Sequence, residues 1–262
     1  MLLERKIAVV YGAGGRIGRA VARAFAGEGA TVYLAGRDRS ALDAAAEQIT
    51  ESGGAAVSVE VDALDEPAVD RFVDTVAADE GRVDVSFNAI SHGDIHGVPL
   101  ASISFDDFFR PVATAMRAQF LTARAAARHM IERGSGVIMA ITANTARMSI
   151  RNVGGTAVSF DAIESLCRQW AAELGPHGVR VVWLHTTGIP EAIAQDLDFF
   201  PDYGTGGLMT RDELLVWLKG RTMLNRLTSL EDVGNMAAFA ASDRARAVTA
   251  TGLNLTCGSV PG

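Results

Sequence analysis

Seven short apolar runs are spread along the chain, and most of them are rich in β-branched residues. Runs of this length without strict alternation are typical of strands buried on both faces of a parallel sheet. They read KIAVVYG, TVYLAGR, AVSVEVD, VDVSFNA, GVIMAIT, VRVVWLH and GLNLTCG. We therefore expect seven strands in this order.

Helix-like stretches separate the strands, and several end at glycine, as helix C-caps do. Examples are RIGRAVARAFAGEG, SALDAAAEQITESGG and EPAVDRFVDTVAADEG. The alternation predicts an α/β fold with a Rossmann-like, doubly wound parallel sheet of about seven strands. No repeat or linker divides the sequence, so residues 1–262 are expected to form one domain. The irregular segment at about 189–222 follows a late strand and is expected to be a small lid.

A further helix is predicted to start within GGTAVSFDAIES. Its apolar residues recur at intervals of three and four, which is the stripe of a helix that packs on a core. The stripe contains Phe160, Ile163, Cys167, Trp170 and Leu174. We interpret Phe160 as a packing residue, and a ligand-stacking role is the alternative.

Composition and charge exclude several classes of function. The 262 residues carry a net charge of −7 without a basic cluster, which disfavours nucleic acid and anionic membranes as partners. No apolar run approaches the roughly 20 residues of a membrane helix. The two cysteines, Cys167 and Cys257, provide no disulfide framework, so a cytoplasmic location is expected. The five histidines show no metal-ligand spacing, and no metal is expected.

The first strand-to-helix turn, VVYGAGGRIGRAV, has the glycines that allow a pyrophosphate to approach a helix N-terminus. The second strand ends YLAGRDR, where Arg37 suits a ribose 2′-phosphate and thus favours NADP(H) over NAD(H). A solvated arginine at a helix start is the alternative. Arg16, within the turn, either crowds the pyrophosphate or reaches toward the 2′-phosphate, and the sequence leaves both open.

Several of these motifs resemble the short-chain dehydrogenase/reductase family over nearly the whole chain, especially its 3-oxoacyl-carrier-protein-reductase-like members. The glycine turn, NAIS at 88–91, AAELGPHGVRV, RLTSLEDVGNMAAFAASD and VTATGLNLTCG carry the resemblance. It implies a set of residues that surround the cofactor, chiefly its adenosine half. They are Gly12, Gly14, Arg16, Ile17, Gly18, Arg37, Asp62, Ala63, Asn88 and Ala89.

The same resemblance implies a catalytic tetrad of Asn, Ser, Tyr and Lys that this chain lacks. The four positions are occupied by Ala115, Ala143, Thr156 and Phe160. The two lysines, Lys6 and Lys219, do not lie four residues after any tyrosine, so no shifted alignment restores the pair. A threonine hydroxyl is a far weaker acid than a phenol of pKa about 10, and phenylalanine supplies no charge. Ordinary keto reduction is therefore expected to be weak or absent.

Histidine is the residue that most readily replaces a lost acid or base near neutral pH. His92 follows the fourth predicted strand in SHGDIHGVPL, which also contains Asp94 and His96, and His185 ends the sixth. We consider His92 and His185 as substitute catalytic residues, and solvated or structural histidines are the alternative.

Three hypotheses remain. The chain is an NADP(H)-dependent oxidoreductase with unorthodox catalytic residues, a catalytically silent subunit or pseudoenzyme that binds cofactor or metabolite, or a non-redox cyclase, isomerase or eliminase. A small-molecule ligand is expected in each case, although productive cofactor binding is not assured by the sequence. The resemblance also implies a homo-oligomer, a dimer or homotetramer, or else a hetero-oligomer with an active family member.

Overall fold

All seven predicted strands are present in one parallel sheet. The computed structural model describes residues 1–193 and 199–261, and the sheet order is β3-β2-β1-β4-β5-β6-β7. The strands are β1 (Ile7–Tyr11), β2 (Thr31–Gly36), β3 (Ala55–Glu60), β4 (Val85–Asn88), β5 (Gly136–Ala143), β6 (Val179–Thr186) and β7 (Thr251–Leu255). The prediction of a doubly wound α/β fold is confirmed.

Helices connect the strands and cover both faces of the sheet. They are α1 (Arg16–Gly27), α2 (Arg39–Glu51), α3 (Glu66–Glu80), α4 (Phe105–Arg133), α5 (Thr156–Leu174), α6 (Arg211–Lys219) and α7 (Leu230–Ala241). In the described residues, none of them is long and apolar enough to cross a membrane.

Two hydrophobic layers lie on opposite faces of the sheet because successive strand residues point to opposite sides. In β1, Ile7, Val9 and Tyr11 pack in the layer under α3, α4 and α5. Ala8 and Val10 pack in the layer under α1, α2 and α7. The predicted stripe of α5 lies in the first layer, with Ile163, Cys167 and Leu174 buried there and Phe160 and Trp170 partly buried against it.

The strand order reverses at β1, which pairs with β2 on one side and β4 on the other. In open parallel sheets such a reversal leaves a crevice at the carboxyl ends of the strands, where ligands bind. The residues that follow β1, β2, β4, β5 and β6 meet at this edge.

The predicted lid at about 189–222 contains α6 and a short antiparallel bridge between Phe200 and Met209. Phe200, Met209 and Leu214 form a small apolar cluster separate from the two main layers. Residues 194–198 of the predicted lid lie outside the described residues.

Candidate functional site

The glycine turn after β1 brings two backbone segments into close contact. Gly12 has φ +73°, and a Cβ there would lie 2.5 Å from the carbonyl oxygen of Ala89. A Cβ at Gly18 would overlap the carbonyl of Gly12. Both positions require glycine, and their packing leaves the start of α1 facing the crevice.

The N-terminus of α1 has free donors. Its N-cap is Gly15, which has no side chain to accept from the first N–H groups, and the first turn has no acidic residue. By contrast, Asp38 caps α2 by accepting from the N–H of Ala41, 3.0 Å away. Since uncapped N–H groups and the helix dipole attract anions, α1 provides a cradle for a phosphate group.

Two adjoining cavities of about 560 Å³ and 410 Å³ run along the crevice. Gly15, Ala89, Ile90, Ser91 and His92 line both cavities, so the two form one groove. All ten predicted cofactor residues line the groove. The larger cavity has Gly12, Gly14, Arg37, Asp62 and Ala63, the smaller has Arg16, Ile17, Gly18 and Asn88, and Ala89 belongs to both.

Two of the predicted adenosine contacts, Arg37 and Asp62, line the larger cavity and are exposed. Arg37 is exposed just after β2, and Asp62 follows β3. Asp62 Oδ1 accepts a hydrogen bond of 2.9 Å from the N–H of Leu64, which fixes the carboxylate in a turn. Arg37 lines the same cavity as Gly12 and Gly14 of the glycine turn.

Arg16 points to the lid. Its Nη1 donates to the carbonyl oxygens of Glu191 at 3.0 Å and Ile193 at 2.9 Å. The side chain thus joins the glycine turn to the first residues of the lid. The sequence analysis had considered only contacts of Arg16 with the pyrophosphate or the 2′-phosphate.

Asn88 holds the loop after β4 against α4. Its Nδ2 donates to Oγ1 of Thr122 at 3.0 Å, and its Oδ1 accepts from the N–H of Ile90 at 3.0 Å. Because Asn88 is buried and both ends of its amide are engaged, it fixes the start of the loop whose residues 89–92 line both cavities.

The four residues that we expect at the family's tetrad positions bring no acid or cation to the crevice. Ala115 is buried in the core on α4, and Ala143 ends β5 opposite Thr186 of β6. Thr156 begins α5, and Phe160 lies one turn later, where it lines the smaller cavity.

Thr156 is hydrogen-bonded to a histidine from the loop after β4. Its Oγ1 lies 3.0 Å from Nε2 of His96, and Nδ1 of His96 lies 3.0 Å from the hydroxyl of Tyr203 in the lid. The three side chains form a row, which we call the lid latch, and it joins the loop after β4, the start of α5 and the lid. Sequence reasoning noted His96 but missed Tyr203, because the pairing spans 107 residues.

His92 faces the groove beside Phe160. The ring centroids of the two residues are 5.5 Å apart, and His92 lines both cavities. Burial lowers the pKa of His92 and of His96 below the ordinary value, and the negative charge of Asp94 opposes this effect. Both imidazoles are therefore neutral at pH 7, as a general base requires.

His185, the other predicted substitute, lies elsewhere. It is buried and lines neither cavity of the groove. Its Nδ1 is 2.9 Å from Oε1 of Glu164 and 3.2 Å from Oγ1 of Thr142. Because both contacts use the same ring nitrogen, the imidazole does not relay a proton between the hydroxyl and the carboxylate.

Glu164 is a fully buried carboxylate that the sequence analysis missed. Burial alone would raise its pKa, but hydrogen bonds from His185 and Arg147 hold the pKa below its usual value. Oε2 accepts from Nε of Arg147 at 3.0 Å and from Nη2 at 2.6 Å. The carboxylate is thus ionised and fully engaged. Within the described residues, no group of histidine, cysteine or carboxylate side chains could hold a metal ion.

Known proteins match the chain over almost its entire length. A family model described as enoyl-(acyl carrier protein) reductase matches residues 12–259. A 7alpha-hydroxysteroid dehydrogenase of Clostridium sardiniense is 32% identical, covering 94% of this chain and 90% of its own. An L-rhamnose 1-dehydrogenase (NAD(P)(+)) of Azotobacter vinelandii is 31% identical, and the match covers 97% of this chain and 96% of that protein.

Solved structures agree in fold. A xylitol dehydrogenase with bound NAD+ superposes with a TM-score of 0.86 at 25% identity, covering 98% of this chain and all of the other. A 7 alpha-hydroxysteroid dehydrogenase in complex with NADH and 7-oxo glycochenodeoxycholic acid has a TM-score of 0.83 at 25% identity. The match covers 99% of this chain and 96% of that chain.

Proposed function

This chain belongs to the short-chain dehydrogenase/reductase family of oxidoreductases, and from that premise we propose that it binds NADP(H) but performs ordinary keto reduction weakly or not at all. The observation that carries the proposal is the groove itself, which has a cofactor cradle at one end and an aromatic wall at the other. Gly12, Gly15 and Arg37 line the first part, and Phe160 lines the second.

The proposed preference for NADP(H) rests on positive charge at the places where the cofactor's phosphates would bind. The uncapped start of α1 suits the pyrophosphate, and the Arg37 guanidinium suits a 2′-phosphate because it forms charge-assisted hydrogen bonds with phosphate oxygens. Asp38, the nearest acidic side chain along the chain, accepts from Ala41 as a helix cap and so has one oxygen engaged away from a ribose hydroxyl. NADP(H) is therefore the better fit, and NAD(H) the poorer one.

The proposal of weak or absent keto reduction rests on the lack of a proton donor at the expected catalytic positions. Carbonyl reduction needs a proton donor at the developing alkoxide together with positive charge nearby. Thr156 provides a hydroxyl of high pKa that is already hydrogen-bonded to His96, and Phe160 provides no charge. When bound, the cofactor supplies hydride, but these residues do little to stabilise the oxygen that receives the proton.

A fluorescence titration with NADPH and NADH tests the cofactor. We expect tighter binding of NADPH, and a loss of about ten- to a hundredfold in Arg37→Asp. Arg71→Asp, an exposed position on α3, is the matched control and should leave both affinities unchanged. Equal affinities for the two cofactors in the wild type would contradict the NADP(H) assignment.

Cofactor oxidation with a panel of ketones tests the chemistry separately. We expect saturable NADPH binding with turnover close to the uncatalysed background. Rapid oxidation with any ketone would refute the mechanistic part and leave the binding part intact.

His92 favours a second candidate, a non-redox proton-transfer enzyme such as an isomerase, eliminase or cyclase. Its neutral imidazole lines the groove next to Phe160, where a carbonyl compound would lie. In deuterated water, such an enzyme exchanges protons adjacent to a carbonyl without oxidising cofactor, which NMR detects. Exchange should disappear in His92→Asn and persist in His129→Asn, whose ring contacts Asp74 outside the groove. Exchange that survives in His92→Asn would exclude this role.

The family relationship also supports assembly into a dimer or tetramer, for which the aromatic residues on α4 and α5 offer a surface. Phe120 is 42% exposed and lies 5.7 Å from Trp170, ring centroid to centroid. Light scattering should give a mass of two or four chains, and Phe120→Arg should lower it. Co-purification of a second family member would instead favour the silent-subunit hypothesis.

A further inference from the structure

One amide that lines the smaller cavity of the groove is almost entirely buried and makes no hydrogen bond within the described residues. It belongs to Gln119 of α4, of which only 3% is exposed. Neither amide atom bonds to a residue in 1–193 or 199–261, yet neither is sealed from solvent, as Nε1 of Trp170 is. By contrast, Asn88 in the same cavity has both ends of its amide engaged. The Gln119 amide is therefore available to a molecule that enters the cavity.

The place of Gln119 on α4 directs its side chain toward the crevice. The helix begins at the crevice, since Arg110 and Thr114 line the larger cavity. Side chains of an α-helix lean toward the helix N-terminus, over the preceding turn. One turn before Gln119 lies Ala115, whose methyl group leaves room for a longer side chain. A donor and an acceptor thus reach the cavity from the side of α4.

The order of groups along a dinucleotide determines which of them meets this amide. Arg37 and Asp62 line the larger cavity, where the adenosine end fits, and Gly15 at the phosphate cradle lines both cavities. With the pyrophosphate at Gly15, the second ribose is the next group and enters the smaller cavity.

Gln119 lies on the side of the smaller cavity that adjoins this shared part. Asn88, at the start of the loop that lines both cavities, donates to Oγ1 of Thr122, which is three residues after Gln119 on α4. Apolar side chains of the same cavity suit the nicotinamide ring, which has few polar groups. They are Ile17, Ile141, Phe160 and Ile163.

We propose that Gln119 binds the two hydroxyls of the nicotinamide ribose. This inference rests on the proposed binding of NADP(H). One hydroxyl donates to Oε1 and the other accepts from Nε2, so both ends of the amide gain a partner. The amide has no charge and no acidic proton, so this contact holds the cofactor and gives no proton to a substrate.

Three ligands that share the adenosine end test the proposal by isothermal titration calorimetry. Adenosine 2′,5′-bisphosphate ends before the second ribose, 2′-phospho-ADP-ribose contains it, and NADPH also has the nicotinamide. In Gln119→Met, which keeps the length of the side chain, the affinities for 2′-phospho-ADP-ribose and NADPH should each fall about tenfold. This is the loss expected for two hydrogen bonds between neutral groups. The affinity for adenosine 2′,5′-bisphosphate should be unchanged.

The stability of the unliganded variant gives a second readout. Because the Gln119 amide makes no hydrogen bond within the described residues, Gln119→Met should not lower the free energy of unfolding in urea. An amide with a structural role would be missed in this experiment. Gln169→Met, the same exchange at an exposed position of α5, is the matched control and should bind all three ligands like the wild type.

A loss confined to NADPH would assign the amide to the nicotinamide ring and overturn the ribose assignment. Unchanged affinities in Gln119→Met, an equal loss for all three ligands, or the same loss in Gln169→Met would also overturn it, as would a destabilised Gln119→Met chain. Each of these results leaves the binding of NADPH by the wild type intact. A wild type that binds none of the three ligands would contradict the NADP(H) proposal and this inference together.

Discussion

Nε2 of His96 lies 3.0 Å from Oγ1 of Thr156, the residue that we expect at the family's tyrosine position. The threonine hydroxyl is thus already engaged by a protein side chain. The same imidazole contacts Tyr203 of the lid at 3.0 Å. Through His96, the first residue of α5 is therefore connected to the lid.

The double variant Thr156→Tyr, Phe160→Lys should not gain keto-reductase activity. A tyrosine at 156 would displace His96, and a lysine at 160 would enter a partly buried aromatic contact with His92. We expect ketone turnover to remain near background and the free energy of unfolding to fall by about 2–3 kcal/mol, from lost packing and charge burial. Cofactor oxidation and urea unfolding measure the two effects. A large gain in turnover would show that these two positions alone limit the reaction.

Weakening the lid latch should increase the local opening of the lid. Tyr203→Phe removes the hydroxyl that contacts His96, so hydrogen exchange of residues 199–209 should speed up while the sheet is unchanged. Tyr33→Phe, which removes a hydroxyl bonded to Glu80 far from the crevice, serves as the control. Equal exchange in the two variants would mean that the latch does not hold the lid.

Stability should decline as the pH falls below about 6.5. The folded pKa values of His92 and His96 are lowered by burial, so the unfolded chain binds protons in this range and the folded chain binds fewer. The free energy of unfolding should therefore drop by about 1 kcal/mol between pH 6.5 and 5.5. Urea unfolding at several pH values measures this drop, which should shrink in His92→Asn but not in His177→Asn, an exposed position.

Removing the Arg16 side chain should loosen the first part of the lid. Arg16→Ala loses the two bonds to the carbonyls of Glu191 and Ile193, so amide exchange at residues 189–193 should accelerate. Arg23→Ala, on the exposed side of the same helix, is the matched control. If NADPH affinity collapses while lid exchange is unchanged, Arg16 acts on the cofactor instead.

Replacing the buried Glu164 should lower the free energy of unfolding substantially. Glu164→Gln leaves Arg147 and His185 without their common anion, and removing one partner of a buried ionic cluster typically costs about 3–5 kcal/mol. Urea unfolding should show a loss of this order, against less than about 0.5 kcal/mol for the exposed Glu173→Gln. A loss as small as that of the control would indicate that the cluster contributes nothing to stability.

Patterns along the chain were sufficient to predict the sheet. Each of the seven apolar runs became a strand, because burial on both faces of a parallel sheet imposes a local requirement on every residue of the run. The glycine turn was equally readable, since Gly12 and Gly18 have no room for a side chain. The packing of Phe160 followed from its place in a helical stripe.

Contacts between side chains that are distant in the sequence could not be predicted from the sequence pattern. Glu164 stands one residue beyond the apolar Ile163 and gives no sign of its burial, because its partners Arg147 and His185 lie 17 and 21 residues away on other elements. Arg16 contacts carbonyls 175 and 177 residues away. Such pairs depend on tertiary placement, which the local sequence pattern does not contain.

The uncapped start of α1 has a thermodynamic consequence. With only Gly15 as its cap, the folded chain carries unsatisfied amide groups that a bound pyrophosphate would satisfy, so nucleotide binding and folding stability are linked. A nucleotide that never transferred hydride would still raise the melting temperature of this protein. If the chain lacks a working catalytic tetrad, as we propose, a bound dinucleotide would still contribute to the stability of the fold.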